Sequence, residues 1–342
     1  MVTIKDIAKA ADVSIGTVDR VLHGRGRVSK KTADTIKSII KKSGYKTNIH
    51  GRNLSLKTTY RFGVIMPQVH QDSFYWDILR QGIDQAVADL ASFTIQAHYF
   101  FFDKYSESSF LSAGAQAINQ GMQGLLIAPV LSDASPAFVN SISREIPYVY
   151  VDSTVPQTSP VAFIGQNSFQ SGVCGARLMD LLAPGAPSVA IIRMLPNDFH
   201  INERVSGFLS HYQKVPATSV QTFDVSGGLG DEALADLIAS INQKVPYCKG
   251  FFVTNAETHR VAKALNRLSG ERKRIIGYDL IEENQRLVRE NAIDFIISQK
   301  TKEQGYQGIN TLFRHIVLKA PCAKEVLMPI DIVFAENLHF YQ

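Results

Sequence analysis

From Tyr60 to the C-terminus, short apolar runs alternate with stretches of helical period, and this rhythm admits few architectures. The runs are RFGVIMP, TIQAHYFFF, GLLIAP, IPYVYVD, VAFIGQN, SVAIIRM, SVQTFDV, GFFVTN, RIIGYD and DFIISQ, with EVLMPIDIV as a final strand. The intervening segments include WDILRQGIDQAVADL, SFQSGVCGARLMDLL, NERVSGFLSHY, HRVAKALNRL and QGYQGINTLFRHIVL, whose apolar residues recur on one helical face. Strands that are apolar on both sides and linked by helices belong to parallel sheets with helices on either face. About ten such strands exceed one comfortable sheet. The expectation is an α/β body made of two doubly wound lobes.

The first 59 residues lack this rhythm and differ in charge. They hold 13 Lys and Arg against four Asp and no Glu, or +9, whereas the remaining 283 residues hold 23 against 27, or −4. A small basic module joined to a mildly acidic body suggests that the module meets a polyanion. Its pattern agrees. Thr3 with Asp6 resembles a capping box ahead of IKDIAKAA, where Ile4, Ile7, Ala8 and Ala11 recur at helical spacing. Asp12 and Val13 interrupt, and Ser14 opens a second helix, IGTVDRVLHG, with Val18, Val21 and Leu22 on one face and Gly24 at its end. After GRGRV, Ser29 caps a third helix running to about Ser43, with Ala33, Ile36, Ile39 and Ile40 inward and Lys30, Lys31, Lys37, Lys41 and Lys42 outward. Two short helices joined by a tight turn form a helix-turn-helix, whose second helix enters the major groove of DNA. The fold expected for the whole is therefore α/β, with a three-helix helix-turn-helix headpiece ahead of the two-lobed parallel-sheet body.

The run TIKDIAKAADVSIGTVDRVLHGRGRVSKKTADTIKSIIKKSGY resembles the DNA-binding headpiece of the lactose-repressor and galactose-repressor (LacI/GalR) family. The resemblance implies a headpiece over 1–46, a hinge over 47–59 and an effector-binding body over 60–342. It implies that Asn48, Arg52 and Leu54 belong to a hinge helix, with Leu54 the apolar wedge that kinks the duplex from the minor groove. Thr47 and Gly51 depart from the family's usual Pro and Ala, and Gly in a helix interior costs about 1 kcal/mol relative to Ala. On the second helix, the resemblance puts Ile15 and Gly16 where the family selects bases, and Thr17 and Arg20 at phosphate and base-edge positions. Arg20 is the side chain there able to make a bidentate contact to guanine. Ser14 at the helix start, and Lys5, Lys30 and Lys31, complete the expected DNA-contacting set.

In the body, ligands of open α/β sheets sit beyond the C-terminal ends of the strands, which in a two-lobed protein line the cleft between lobes. That rule selects the segment from Gln68 to Trp76, Ala128 and Pro129, Asp152 and Ser153, the segment from Asn197 to Asn202, Asn255, Asp279 and Gln299. The body is also similar to periplasmic ribose-binding protein, whose chain crosses between lobes three times. This implies an N-lobe of about 60–160 and 300–328 and a C-lobe of about 161–299 and 329–342. It implies an effector set of Asp152, Asn202, Asn255, Asp279 and Gln299, with Asp72, Phe74 and Tyr75 from DSFYWDIL and the aromatic pair as ring platforms. Trp76 reads as packing. Carboxylates with Asn and Gln suit the paired hydroxyls of a small neutral sugar or polyol.

Other classes find little support. No G-x-S-x-G, H-E-x-x-H or Walker sequence occurs, so no enzyme and no cofactor is expected. Cys174, Cys248 and Cys322 are too far apart for a metal motif, no metal site is expected, and His200 and His211 read as ordinary histidines. No apolar run reaches the roughly 18 residues of a membrane span. The charged start, MVTIKDIAKAADVS, is unlike a signal peptide, so a cytoplasmic home is expected. The leading expectation is a homodimeric transcriptional regulator, a repressor, that binds near-palindromic operator DNA under control of a sugar effector. The alternative is a sugar-binding transport component, which the +9 headpiece and the missing signal peptide disfavour.

Overall fold

The computed structural model describes residues 4–23, 26, 28–43, 59–196, 198–215 and 217–341. Compactness divides the chain into two units, 1–57 and 58–342.

The first unit holds three helices, α1 (Ile4–Ala10), α2 (Ile15–His23) and α3 (Lys30–Ser43). They share one small core of Ile7, Ala8, Val18 and Ile36, with Ile4, Ala11, Val13, Val21, Leu22, Ile39 and Ile40 packed around it. Asp12 takes a left-handed conformation (φ 52°) in the turn between α1 and α2. Ser14 caps α2, its hydroxyl accepting the Thr17 N–H at 3.1 Å, and Ser29 caps α3 through the Thr32 N–H at 3.2 Å. Each cap satisfies a backbone donor that a helix start otherwise leaves unpaired.

The second unit alternates as the sequence rhythm predicts. In order come β1 (Tyr60–Pro67), α4 (Gln71–Asp89), β2 (Ile95–Phe102), α5 (Glu107–Asn119), β3 (Gly124–Ile127), α6 (Ala134–Ser141), β4 (Tyr148–Val151) and β5 (Ala162–Gln166). Then follow α7 (Ser168–Leu182), β6 (Ser188–Leu195), α8 (Phe199–Tyr212), β7 (Ser219–Ser226), α9 (Asp231–Lys244), β8 (Cys248–Val253), α10 (Thr258–Asn266), β9 (Arg274–Tyr278), α11 (Glu282–Arg289) and β10 (Phe295–Ser298). The chain ends with α12 (Thr301–Ile316), β11 (Glu325–Met328) and β12 (Asp331–Val333).

Two six-stranded sheets result, ordered β11-β5-β4-β3-β1-β2 and β12-β10-β9-β8-β6-β7. All neighbours are parallel except β10 and β12. Both sheets repeat one winding, and in each the strand order reverses beside the first strand of the lobe, β1 or β6. Such a reversal opens a crevice at the strands' C-terminal ends. The central strands are buried on both faces: Val64, Ile65 and Met66 of β1, and Ala190, Ile191 and Ile192 of β6, are all within 1% of fully buried. In the second lobe the two faces of the sheet feed separate cores, one built on Phe251, Val253 and Ile275, the other on Phe252, Ile276 and Tyr278.

The lobe boundaries depart from expectation in one place. β5 pairs with β4, Val149 to Ala162 through Val151 to Ile164, so it belongs to the first lobe and the chain first crosses after Gln166 rather than at 161. The run EVLMPIDIV is two strands rather than one. β11 pairs with β5 in the first sheet and β12 with β10 in the second, with the crossing at Pro329 and Ile330 between them.

Candidate functional site

The site in the body is assembled by strand ends. Asp72, Tyr75 and Trp76 follow β1, Lys104 follows β2, and Asp152 follows β4; from the other lobe, Asp198, His200 and Arg204 follow β6, Asn255 follows β8, Asp279 follows β9 and Gln299 follows β10. All of them line one cavity between the lobes. Its volume is about 30 Å³, room for a water or two. The lobes are thus closed upon each other.

Backbone geometry aims several of these groups. Asp152 and Asp279 both adopt left-handed conformations (φ 70° and 71°), and so do three successive residues at the start of α4, Asp72, Ser73 and Phe74 (φ 50°, 55° and 67°). Each such residue costs on the order of 1–3 kcal/mol and persists only where its surroundings hold it. Here they do. Asp72 pairs with Lys104 and accepts the Trp76 indole N–H at 2.8 Å. The Ser73 hydroxyl donates across the cleft to Glu257 at 2.8 Å.

The buried polar groups are linked. The Tyr75 hydroxyl donates to Asp152 Oδ1 at 2.6 Å, and Gln299 Nε2 donates to Asp279 Oδ1 at 2.8 Å. Gln304, from α12, fixes two of these residues by their backbones, accepting the Asp152 N–H and donating to the Gln299 carbonyl. Arg204 is fully buried; its Nη1 donates to the Thr254 carbonyl at 2.7 Å and its guanidinium lies 3.8 Å over the Tyr278 ring. Arg204 Nε and Nη2 and Gln299 Oε1 have no hydrogen-bond partner, so the cavity holds donors and an acceptor still to be matched.

Burial controls the ionisation of these groups. It pushes the Asp279 carboxyl up to about 7, against the opposing pull of Arg204 and of the Gln299 hydrogen bond. It also raises the Tyr75 hydroxyl well above its ordinary range, reinforced by the negative charges of Asp152 and Asp279. For Lys104, burial works to lower the pKa, but the adjoining Asp72 carboxylate outweighs it and the net shift is upward. Lys104 is therefore a fixed cation.

Of the residues expected from sequence, Asp72, Tyr75, Asp152, Asn255, Asp279 and Gln299 come together at the cavity. Two do not. Phe74 is 63% exposed, because the left-handed turn ahead of the regular part of α4 directs it outward, and Trp76, read as packing, lines the cavity instead. Asn202 accepts from Arg193 Nη1 at 3.2 Å, beside the Arg193–Asp224 pair, and Arg204 takes the cavity position. Two residues apart on a helix is a rotation of about 200°, enough to exchange the two sides. His200 also lines the cavity rather than standing alone, and with Asp152 and Asp198 it forms a cluster that no sequence spacing announces.

In the headpiece, Lys5, Ser14, Ile15, Gly16, Arg20, Lys30 and Lys31 are exposed, and Thr17 is half-buried beneath the Ser14 cap, its hydroxyl 2.9 Å from that of Ser14. A Cβ on Gly16 would stand 4.0 Å from Arg20 Nη2, an ordinary contact distance, so the guanidinium runs back along the exposed face of α2 towards Gly16. Ile15, an apolar side chain 45% exposed on that face, is costly in water and suited to a thymine methyl. The hinge residues Asn48, Arg52 and Leu54, together with Thr3, Thr47 and Gly51, lie outside the described residues.

Residues 3–48 match the family described as bacterial regulatory proteins, lacI family, and residues 62–320 match the periplasmic binding protein domain. The chain belongs to the lacI family. It is a DNA-binding transcriptional regulator whose body has the periplasmic-binding-protein fold. Among similar proteins, the Ribose operon repressor of Halalkalibacterium halodurans is 26% identical over 297 residues, 84% of this chain and 83% of that protein. The HTH-type transcriptional regulator DegA of Bacillus subtilis is 27% identical over 208 residues, 60% of this chain and 59% of that one. A crystal structure described as a LacI transcriptional regulator from Bacteroides fragilis superposes with a TM-score of 0.77 at 28% identity, covering 83% of this LacI-family chain and all (100%) of the other. The glucose-galactose binding protein GanP of Geobacillus stearothermophilus shares the fold of the body, with a TM-score of 0.74 at 21% identity over 82% of this chain and 99% of that one. Among the described residues of this regulator, no helix is long and apolar enough to cross a membrane.

Proposed function

We propose that the protein is a homodimeric cytoplasmic repressor whose affinity for near-palindromic operator DNA is set by a small neutral sugar or polyol held between the lobes of its body. One observation carries the effector reading. At the strand ends of two lobes, a buried set of carboxylates, amides and one guanidinium retains unmatched Arg204 Nε and Nη2 and Gln299 Oε1, beside the Tyr75 and Trp76 rings. A polyol supplies what such a set requires, since each hydroxyl both donates and accepts, and sugar rings offer apolar faces to aromatic side chains. A relative's name, Ribose operon repressor, supports a sugar as the class of effector and repression as the direction of control.

The mechanism follows from linkage. Closing the lobes around a sugar stabilises one arrangement of the body over another, and operator affinity changes by that difference in free energy. Dimerisation supplies the second headpiece that a palindromic site requires.

Calorimetry of the full-length protein against a panel of pentoses, hexoses and sugar alcohols tests the reading. At least one is expected to bind at one per chain and to perturb the emission of Trp76, the single tryptophan, 2% exposed at the cavity wall. Asp279→Ala is expected to weaken that binding by about 1–3 kcal/mol, the cost of leaving polar partners buried and unpaired. Binding that is indifferent to Asp279→Ala would put the effector elsewhere.

A further inference from the structure

Four carboxylates line the cavity, Asp72, Asp152, Asp198 and Asp279, against two fixed cations, Lys104 and Arg204. Lys104 is already matched to Asp72. Burial raises Asp279 to about 7, so it is in part protonated near neutral pH, and Asp152 and Asp198 are the carboxylates left to Arg204, whose guanidinium is turned to the Thr254 carbonyl and the Tyr278 ring. The negative charge of the site therefore exceeds its positive charge in a volume that admits almost no water.

Part of that excess is focused. One ligand atom each from Asp152, Asp198 and His200 lies within 4.8 Å of the other two, and all three residues are buried. His200 Nδ1 is 2.8 Å from Asp198 Oδ1 and 3.9 Å from Asp152 Oδ2. The short distance to Asp198 is nevertheless not a hydrogen bond, because the ring's N–H direction misses the oxygen, and Nδ1 is left buried without a partner in a residue 7% exposed. A ring nitrogen and two carboxylate oxygens that converge without hydrogen-bonding each other call for a positive partner between them. Ligands bound tetrahedrally at about 2.0–2.2 Å stand about 3.3–3.6 Å apart, so the histidine distances of 2.8 and 3.9 Å bracket that spacing and side-chain shifts of about 1 Å bring the three atoms to it.

We propose that Asp152, Asp198 and His200 hold one divalent transition-metal cation across the cleft. Imidazole nitrogen with two carboxylates suits Zn²⁺, and Mn²⁺ less well, in preference to Ca²⁺ or Mg²⁺, which favour oxygen ligands. His200 then carries its proton on Nε2 and offers the Nδ1 lone pair. Three protein ligands leave a coordination position open, within reach of a hydroxyl in the same cavity. Because Asp152 belongs to the first lobe and Asp198 and His200 to the second, the ion binds the closed arrangement in preference to the open one.

The test uses the metal alone on full-length protein stripped by a chelator, so its outcome is separate from that of the sugar experiment. Titration with Zn²⁺ by calorimetry is expected to show one ion per chain, with Mn²⁺ weaker and Ca²⁺ and Mg²⁺ weaker still. Asp198→Asn removes the ligand charge while Asn still caps α8, and it is expected to weaken Zn²⁺ at least tenfold, as is His200→Gln. Thermal melting of each variant without metal establishes that it is folded. Absence of binding overturns the proposal, and so does one-to-one binding that both folded variants retain.

Discussion

Asp279 concentrates the tension between folding and binding. Its carboxyl is buried and raised to about 7 from an ordinary 3.8, so between these values the folded protein holds a proton that the unfolded chain has released. Stability from this residue is therefore present at low pH, declines as pH rises through that window by at most about 1.4 kcal/mol per unit, and levels off above it. Asp279→Asn, which carries no charge at either end, is expected to gain stability relative to the wild type as pH rises from 5 to 8. Thermal melts at a series of pH values measure this, and a difference that does not change with pH would mean that the carboxyl is not destabilised by burial. In the headpiece, Arg20 has the opposite character, an exposed guanidinium stretched along α2 towards Gly16. Replacing it with Ala is expected to cost about 1–3 kcal/mol of operator affinity and to relax preference at one base pair without altering the melt. Gel-shift titrations on matched and substituted operators separate that result from a uniform loss, which would mark Arg20 as a phosphate contact only.

Helix α8 carries the chemistry of the second lobe, and its position depends on a contact with α7 too close for side chains. A Cβ on Gly172 would stand 2.1 Å from the Arg204 carbonyl oxygen, and one on Gly207 would stand 1.9 Å from that of Phe169. Backbone rests on backbone, and Arg204 is delivered to the cavity from that contact. Gly172→Ala is expected to force the helices apart, destabilising the body by about 1–3 kcal/mol and weakening sugar binding through the displaced Arg204, while a headpiece with its own core keeps its helices. Circular dichroism melts with calorimetry check both effects, and unchanged sugar affinity would detach Arg204 from the effector. The helices also explain what was legible beforehand. Apolar periodicity revealed α1, α2 and α3 because their core is local, and apolar runs revealed central strands such as β1, β3, β6 and β8 because those are buried on both faces. The position of Arg204 was not legible, since a two-residue offset against Asn202 is invisible in composition but turns the side chain to the other side of α8.

The molecule as a whole separates its tasks by charge and by contact, a basic three-helix unit and a mildly acidic two-lobed unit with its own cores. The rule that ligands collect at strand ends found Asp152, Asn255, Asp279 and Gln299 without the structure. It missed Lys104, and within the segment 197–202 that it did select it singled out neither Asp198 nor His200, because their significance lies in burial beside partners distant in sequence, which no local pattern records. The lobe boundary implied by the resemblance misassigned β5, since whether a strand closes one sheet or opens the next depends on pairing with β4 rather than on its own residues. A fragment beginning at Tyr60 is expected to stay folded, dimeric and sugar-competent while losing operator binding, as sedimentation and calorimetry would report. A monomeric fragment would remove the body from the dimer interface. The central claim is that the cleft governs the headpiece, and operator affinity measured by fluorescence anisotropy with and without the bound sugar tests it most directly. The wild type is expected to shift by about 5- to 150-fold, the usual range of such coupling, whereas Asp279→Ala keeps the sugar-free affinity and shows no shift. A sugar response that persists undiminished in Asp279→Ala would contradict the account.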